Sequence, residues 1–221
     1  MNVFLAVLWK DLITELRTRD RAVAMLLFSL LVVVIFHFSL PGGATARAQA
    51  SAPGLLWVAY VFAAILGFNR AFSLELENDA LAGIALVPVD RGWVFLGKAA
   101  ANLAILLVVQ GLIAAVFALV FEIDLVPIAT RFAGVLLLGA VGLCSVGTLL
   151  AAMAVRTRFR EVMLTLLMLP LLIPVLLGAV RATESLLATG TADFGPIQLL
   201  LVTDAVYLIV SFIGFDYILD E

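Results

Sequence analysis

The sequence predicts an all-α membrane protein. It has six transmembrane helices, an N-terminal amphipathic helix at the membrane interface, and a short cytoplasmic helix between spans 2 and 3. Three observations carry this. First, the 221 residues are 65% hydrophobic and 13% charged, against about 45–50% and about 25% in soluble domains. A soluble fold of this length has no interior for so much apolar surface, so the excess faces lipid, in a single transmembrane domain over residues 1–221. Second, six runs are long enough to cross a hydrocarbon core of about 30 Å. They are continuous and rich in Leu and Ala, without the alternation of a spanning barrel. Third, the basic residues are lopsided. Ten of the 13 Lys and Arg lie before span 1 or in the second and fourth loops; Arg47, Arg131 and Arg181 lie on the other side. That bias predicts cytoplasmic N and C termini.

Taken in order, residues 1–20 form the interfacial helix. Leu5, Leu8, Trp9, Leu12 and Leu16 recur at helical spacing, and Lys10, Asp11, Thr14, Glu15, Arg17 and Thr18 cluster elsewhere, the pattern of a helix lying on lipid. No basic residue precedes Val3–Trp9 and no small-residue cleavage site follows, so this stretch is not a secretory signal. The spans are expected at about 22–40, 54–69, 99–121, 132–155, 162–180 and 197–215. Pro41-Gly42-Gly43 ends the first and Ser51-Ala52-Pro53-Gly54 opens the second. Thr189-Gly190-Thr191 and Gly195-Pro196 divide the last two. The fourth loop places Arg156, Arg158 and Arg160 within five residues, which suits anionic headgroups and makes membrane lipid an expected partner. No nucleic-acid partner is expected.

The loop from Arg70 to Lys98 is the longest polar stretch. Glu75, Glu77 and Asp79 stand where a helix N-terminus favours acids. Leu74, Leu81, Ile84 and Ala85 share a face, and Pro88 ends the helix. Such a helix either lies on its own bundle or docks into another protein. Next, Arg91-Gly92-Trp93-Val94-Phe95-Leu96-Gly97-Lys98-Ala99 fits the phosphate-loop pattern except at its last position. Ala99 cannot hold magnesium, the intervening residues are bulky, and no strand precedes them. Arg91 and Lys98 then read as interfacial cations, with Trp93 as an anchor.

Within the spans, His37 is the lone histidine, near the outer end of span 1. It is either a haem-iron ligand or, more plainly, a side chain bonded to a neighbour or reaching the interface. Asp204 is an acid well inside span 6, either a functional or helix-registering group or the mark of a span that starts later. Asn102 and Gln110 offer hydrogen bonds between helices. Ala140, Cys144, Thr148 and Ala152, beside Gly139, Gly147 and Ala151, give span 4 a small-residue face for close packing. Cys144, the single cysteine, excludes an intramolecular disulfide and a Cys-based metal site. Pro170 and Pro174 are expected to kink span 5.

The acids, the Leu81-x-Gly83 step, Pro88, Asp90, Arg91 and the Gly97-Lys98 opening of span 3 together resemble the membrane subunits of type-2 ABC exporters. In that family the loop segment is a coupling helix seated in a separate nucleotide-binding subunit. The resemblance makes Glu75, Glu77, Leu81, Gly83, Pro88, Asp90 and Arg91 the residues of ATPase coupling. It sharpens through Trp9-Lys10-Asp11-Leu12 with Glu15-Leu16-Arg17, Gly54-Leu55-Leu56-Trp57-Val58-Ala59 and Gly67-Phe68-Asn69-Arg70. It continues through Val146–Ala154, Leu169–Val175 and Phe215-Asp216-Tyr217-Ile218-Leu219. In that order they resemble the CcmB family, the membrane subunit of the haem exporter of cytochrome c maturation, over nearly the whole chain. Ala82 departs from the pattern, standing where an acid is expected.

The resemblance implies a subunit of the bacterial inner membrane with no bound cofactor and no enzyme activity of its own. Haem is the implied cargo and ATP belongs to the partner subunit. A homodimer, two ATPase copies, other cytochrome c maturation membrane proteins and a haem chaperone are the implied assembly. The alternatives are a type-2 exporter of polysaccharide, lipid or drug, and a secondary transporter. An intramembrane enzyme would need a catalytic constellation, which one histidine and one cysteine in different spans do not make.

Overall fold

The computed structural model describes residues 3–39, 46–71, 91–154 and 160–218. Among these it holds seven α-helices: α1 (Val3–Thr18), α2 (Asp20–Ser39), α3 (Ala46–Ala71), α4 (Arg91–Val120), α5 (Ala129–Ala154), α6 (Arg160–Thr189) and α7 (Phe194–Ile218). A 3-10 turn, Val126–Ile128, leads into α5. Helices α2 to α7 each contain a stretch long and apolar enough to cross a membrane. No strand occurs among the described residues.

Three helices outrun the expected spans by two turns or more at one end, and the reasons are local. Helix α3 starts at Ala46 and runs through Pro53, because Ala52 and Pro53 are packed inside the bundle, where a proline is tolerated. Helix α4 starts at Arg91 rather than at 99, since Val94 and Phe95 are buried and Phe95 lies 5.5 Å from the Phe215 ring of α7. Helix α6 continues nine residues beyond 180, to Thr189. Ala182, Thr183 and Leu186 on its last turns are buried, so packing extends the helix past the apolar run. Helix α6 also passes through both Pro170 and Pro174.

Helix α5 is the centre. It packs against α3, α4, α6 and α7, and 78% of its spanning window is buried, against 17% for α2. Small residues make this possible. Ala140, Cys144, Thr148 and Ala152 are all buried, as the small-residue face required, and Cys144 is a packing residue. A methyl group at Gly139 would overlap the Trp57 ring, and one at Gly147 would overlap Phe68. Both glycines therefore let α3 lie close against α5. Trp57 donates from its indole nitrogen to Thr183 Oγ1 of α6 at 3.0 Å, which ties α3 to α6 in the interior. The outward apolar residues of α2, Val23, Leu27, Leu31 and Ile35 among them, are exposed, as lipid-facing side chains are.

Candidate functional site: a buried polar junction of α1, α2, α4 and α5

Helix α1 meets the bundle with its acids. Leu5, Trp9 and Leu16 point outward and are exposed, while Asp11 and Glu15, one turn apart, face the protein. Helix α1 ends at Arg19, whose φ of 57° is left-handed and lets its N–H close on the Glu15 carbonyl at 2.7 Å, a helix-ending bond. The chain then turns directly into α2. Across that corner Glu15 Oε1 accepts the Ala22 N–H at 2.9 Å, which satisfies one of the free donors of the α2 N-terminus.

The same carboxylate pairs with Arg21, Oε2 to Nε at 3.1 Å, and both side chains are nearly buried. Arg21 also donates to Asn102 Oδ1 on α4 at 2.7 Å. Asn102 in turn donates through Nδ2 to Thr148 Oγ1 on α5 at 2.9 Å. Four side chains from four helices thus form one chain of bonds, with Asn102 and Thr148 buried. A guanidinium suits this place because its planar fork serves a carboxylate and an amide at once. A narrow crevice lined partly by Arg21, Gly67 and Asn102 lies beside it.

Lys98, one turn before Asn102 on α4, completes the junction. It is buried, 3% exposed, and its Nζ lies 3.6 Å from Asp11 Oδ2. This corrects its reading as an interfacial cation: α1 covers it. The neighbouring Gly97 lies against the Phe4 carbonyl and Val7, each 3.0 Å from where a Cβ would stand. Gly92 fits under the Phe212 ring of α7. Both glycines of the phosphate-loop pattern are therefore helix-packing residues, and residues 91–99 form continuous helix rather than the loop a phosphate cradle needs. Trp93, by contrast, is exposed.

The predicted intramembrane residues lie elsewhere. Asp204 is in α7, 4% exposed, and stands inside its helix rather than before it. Its Oδ1 lies 2.6 Å from where a Gly142 Cβ would be, beside Val175 of α6, and neither oxygen has a hydrogen-bond partner among the described residues. Gln110 is fully buried, and its amide likewise has no hydrogen-bond partner among the described residues. Its backbone carbonyl accepts the Tyr60 hydroxyl at 2.9 Å. Asn102 thus makes the interhelical bond expected of it and the Gln110 side chain does not. His37 lies in the last turn of α2, edge-on to Phe121 at 5.9 Å between ring centres. It is far along the helix from Asp20, at the end opposite α1. Arg91 opens α4. Glu75, Glu77, Leu81, Gly83, Pro88 and Asp90 lie outside the described residues.

The charged members of the junction escaped sequence reasoning. Arg21 and Lys98 read as topology signals, and Asp11 and Glu15 as the wet face of a surface helix. The available signal was paired spacing: Asp11 and Glu15 are four apart on α1, and Lys98 and Asn102 are four apart on α4, so each pair stands on one helix face.

The family model described as CcmB protein matches residues 2–217. The chain belongs to the CcmB family. A relative from Bradyrhizobium diazoefficiens, named "Heme exporter protein B", is 31% identical over 215 residues, covering 96% of this chain and 94% of the relative. A protein of the same name from Rhodobacter capsulatus is 31% identical over 210 residues, covering 94% of each. One from Paracoccus denitrificans is 30% identical over 203 residues and covers 89% of each. Bacterial relatives and six apolar helices make this CcmB-family chain an integral bacterial membrane protein.

Proposed function

We propose that this chain is the membrane subunit of a haem exporter serving c-type cytochrome biogenesis, and that a separate cytoplasmic ATPase drives it. The observation that carries the reading is the near full-length match to proteins named for haem export. It agrees with the architecture: a six-span bundle whose phosphate-loop-like segment is packed helix, so that ATP work falls to a partner. In this reading the termini, α1 and the segment around Glu75 to Arg91 are cytoplasmic, in keeping with the distribution of Lys and Arg. Glu75, Glu77, Leu81, Gly83, Pro88, Asp90 and Arg91 engage the ATPase. The leucine and tryptophan face of α1 rests in the interface. Two copies of the chain pair with two ATPase subunits, alongside other cytochrome maturation proteins and a haem chaperone.

Asp204 is the intramembrane group most suited to a role in the cycle. A buried carboxyl with no hydrogen-bond partner among the described residues is costly to keep, and intramembrane acids usually serve function. His37 is the second such group, set in an aromatic cluster at the opposite end from α1.

The test is a haem stain of membrane c-type cytochromes in cells with and without the gene. Loss of the covalent haem bands, restored by the intact gene, is the expected result. Unchanged bands would remove the haem assignment and leave an exporter subunit of other cargo. A second experiment addresses coupling: Glu75→Lys with Glu77→Lys should lower recovery of the ATPase subunit with this chain while membrane insertion persists.

A further inference from the structure

We propose that Arg21 is a positioning residue that makes α1, α4 and α5 move as one body. This rests on the exporter reading for its consequence, since α4 is the helix that continues from the segment proposed to meet the ATPase. The geometry is particular. Arg21 sits at the corner between α1 and α2, yet its guanidinium reaches α4 at a residue 81 positions later. It holds Glu15 of α1 through one nitrogen and Asn102 of α4 through another. The Asn102 amide is fixed at both ends, accepting from Arg21 and donating to Thr148 of α5.

Two further contacts join α1 to α4. Helix α1 backbone lies against Gly97, and Lys98 pairs with Asp11. A displacement of the first turns of α4 therefore carries α1 and α5 with it. The alternative, sliding α4 past α1, would break the Arg21–Asn102 bond and draw Lys98 away from Asp11, so that two nearly buried cations each lose a partner, which is strongly unfavourable. Arg21 thereby converts α1 from a surface anchor into a rigid lever on α4.

The test separates positioning from folding. In Glu15→Gln with Arg21→Met, both charges are gone and no buried ion is left alone. This double variant should therefore reach wild-type membrane levels. Its haem bands per chain should still fall on the order of tenfold, the usual size of a lost coupling between sites. Wild-type output per chain from the double variant would overturn the proposal. A second readout is independent of haem. With Cys144→Ala, nitroxide labels at Leu16→Cys and Val108→Cys, both exposed positions, report the α1–α4 distance in the full complex. One narrow distance is expected with Arg21 present, and a broad or split one in Arg21→Met. A distribution that stays narrow in Arg21→Met would overturn the proposal even if the haem assignment had itself failed.

Discussion

The junction at α1 and the interface of α5, α6 and α7 bury polar groups in opposite ways. At the junction, Glu15, Arg21, Asn102 and Thr148 pair with one another in sequence, Arg21 Nε meeting Glu15 as an ion pair rather than a hydrogen bond. At that interface Asp204, and on α4 the Gln110 side chain, are as buried as Asn102 but make no hydrogen bond among the described residues. The contrast separates what polar residues do in a membrane protein. A satisfied network specifies how helices sit, while an unsatisfied group reduces stability and is retained for another reason. It also predicts opposite signs for the same kind of substitution.

The largest effect is expected at the centre of the satisfied network. Asn102→Leu removes an amide that serves a buried guanidinium and a buried hydroxyl together. It should destabilise the detergent-solubilised protein by about 3 kcal/mol, since hydrogen bonds to charged groups cost about 1.5–3 kcal/mol each when broken one-sidedly. Thermal unfolding of purified variants measures this. A stability equal to wild type would mean that the junction is decoration on a bundle held by apolar packing alone.

Next comes the Gly142 notch. A methyl group there meets Asp204 Oδ1 at 2.6 Å and Val175 at 2.8 Å, so Gly142→Ala should cost about 2 kcal/mol as an overpacked site. Combining it with Asp204→Ala should recover most of that loss, because the colliding atoms leave. If the double variant is as unstable as the single, Val175 rather than the carboxyl fills the notch.

How much of this was legible in the sequence follows from which physics decides each feature. The six spans were legible because lipid imposes length and apolarity on each helix separately. Their ends were not: Arg91–Lys98 looked polar enough to be loop, and is helix because Val94 and Phe95 find partners in the bundle. Asp204 was legible as an intramembrane acid because its neighbours in sequence are all apolar or small. The role of Arg21 was not, because a cation at the end of an apolar run has the same appearance whether it faces headgroups or a carboxylate of another helix. Only its contacts distinguish them: the Glu15 carboxylate lies back across the α1–α2 corner, and Asn102 belongs to a helix 81 residues on. Asn102 fell between these cases. Its need for an interhelical partner could be read from the sequence; the partner could not.

The opposite sign belongs to Asp204. Asp204→Leu replaces a buried carboxyl, without a hydrogen-bond partner among the described residues, with an apolar group of similar size. It should leave stability unchanged or raise it by about 1–2 kcal/mol, in contrast to Asn102→Leu. Haem bands per chain should nonetheless fall. Higher stability with lower output is the signature of a group kept for the cycle, whereas higher stability with full output would reduce Asp204 to a helix-registering residue. A loss of stability would mean that the carboxyl has a partner in the assembled complex that the single chain does not supply.

The smallest effect is expected where a polar group is satisfied but carries no charge. Trp57→Phe keeps the ring against Gly139 and deletes the bond to Thr183 Oγ1. Thr183 retains its own bond to the Ala179 carbonyl at 2.7 Å, so no donor is orphaned by the change. The expected loss is therefore that of one interhelical hydrogen bond in a membrane, about 0.6 kcal/mol and at most about 1.7, plus part of the buried area of the indole. Thr183→Val makes the complementary cut, leaving the indole N–H without its acceptor, and should cost more than Trp57→Phe for that reason. If the two variants are equal, the Trp57–Thr183 bond contributes little, and the glycine-flattened contact between α3 and α5 alone holds α3 in place.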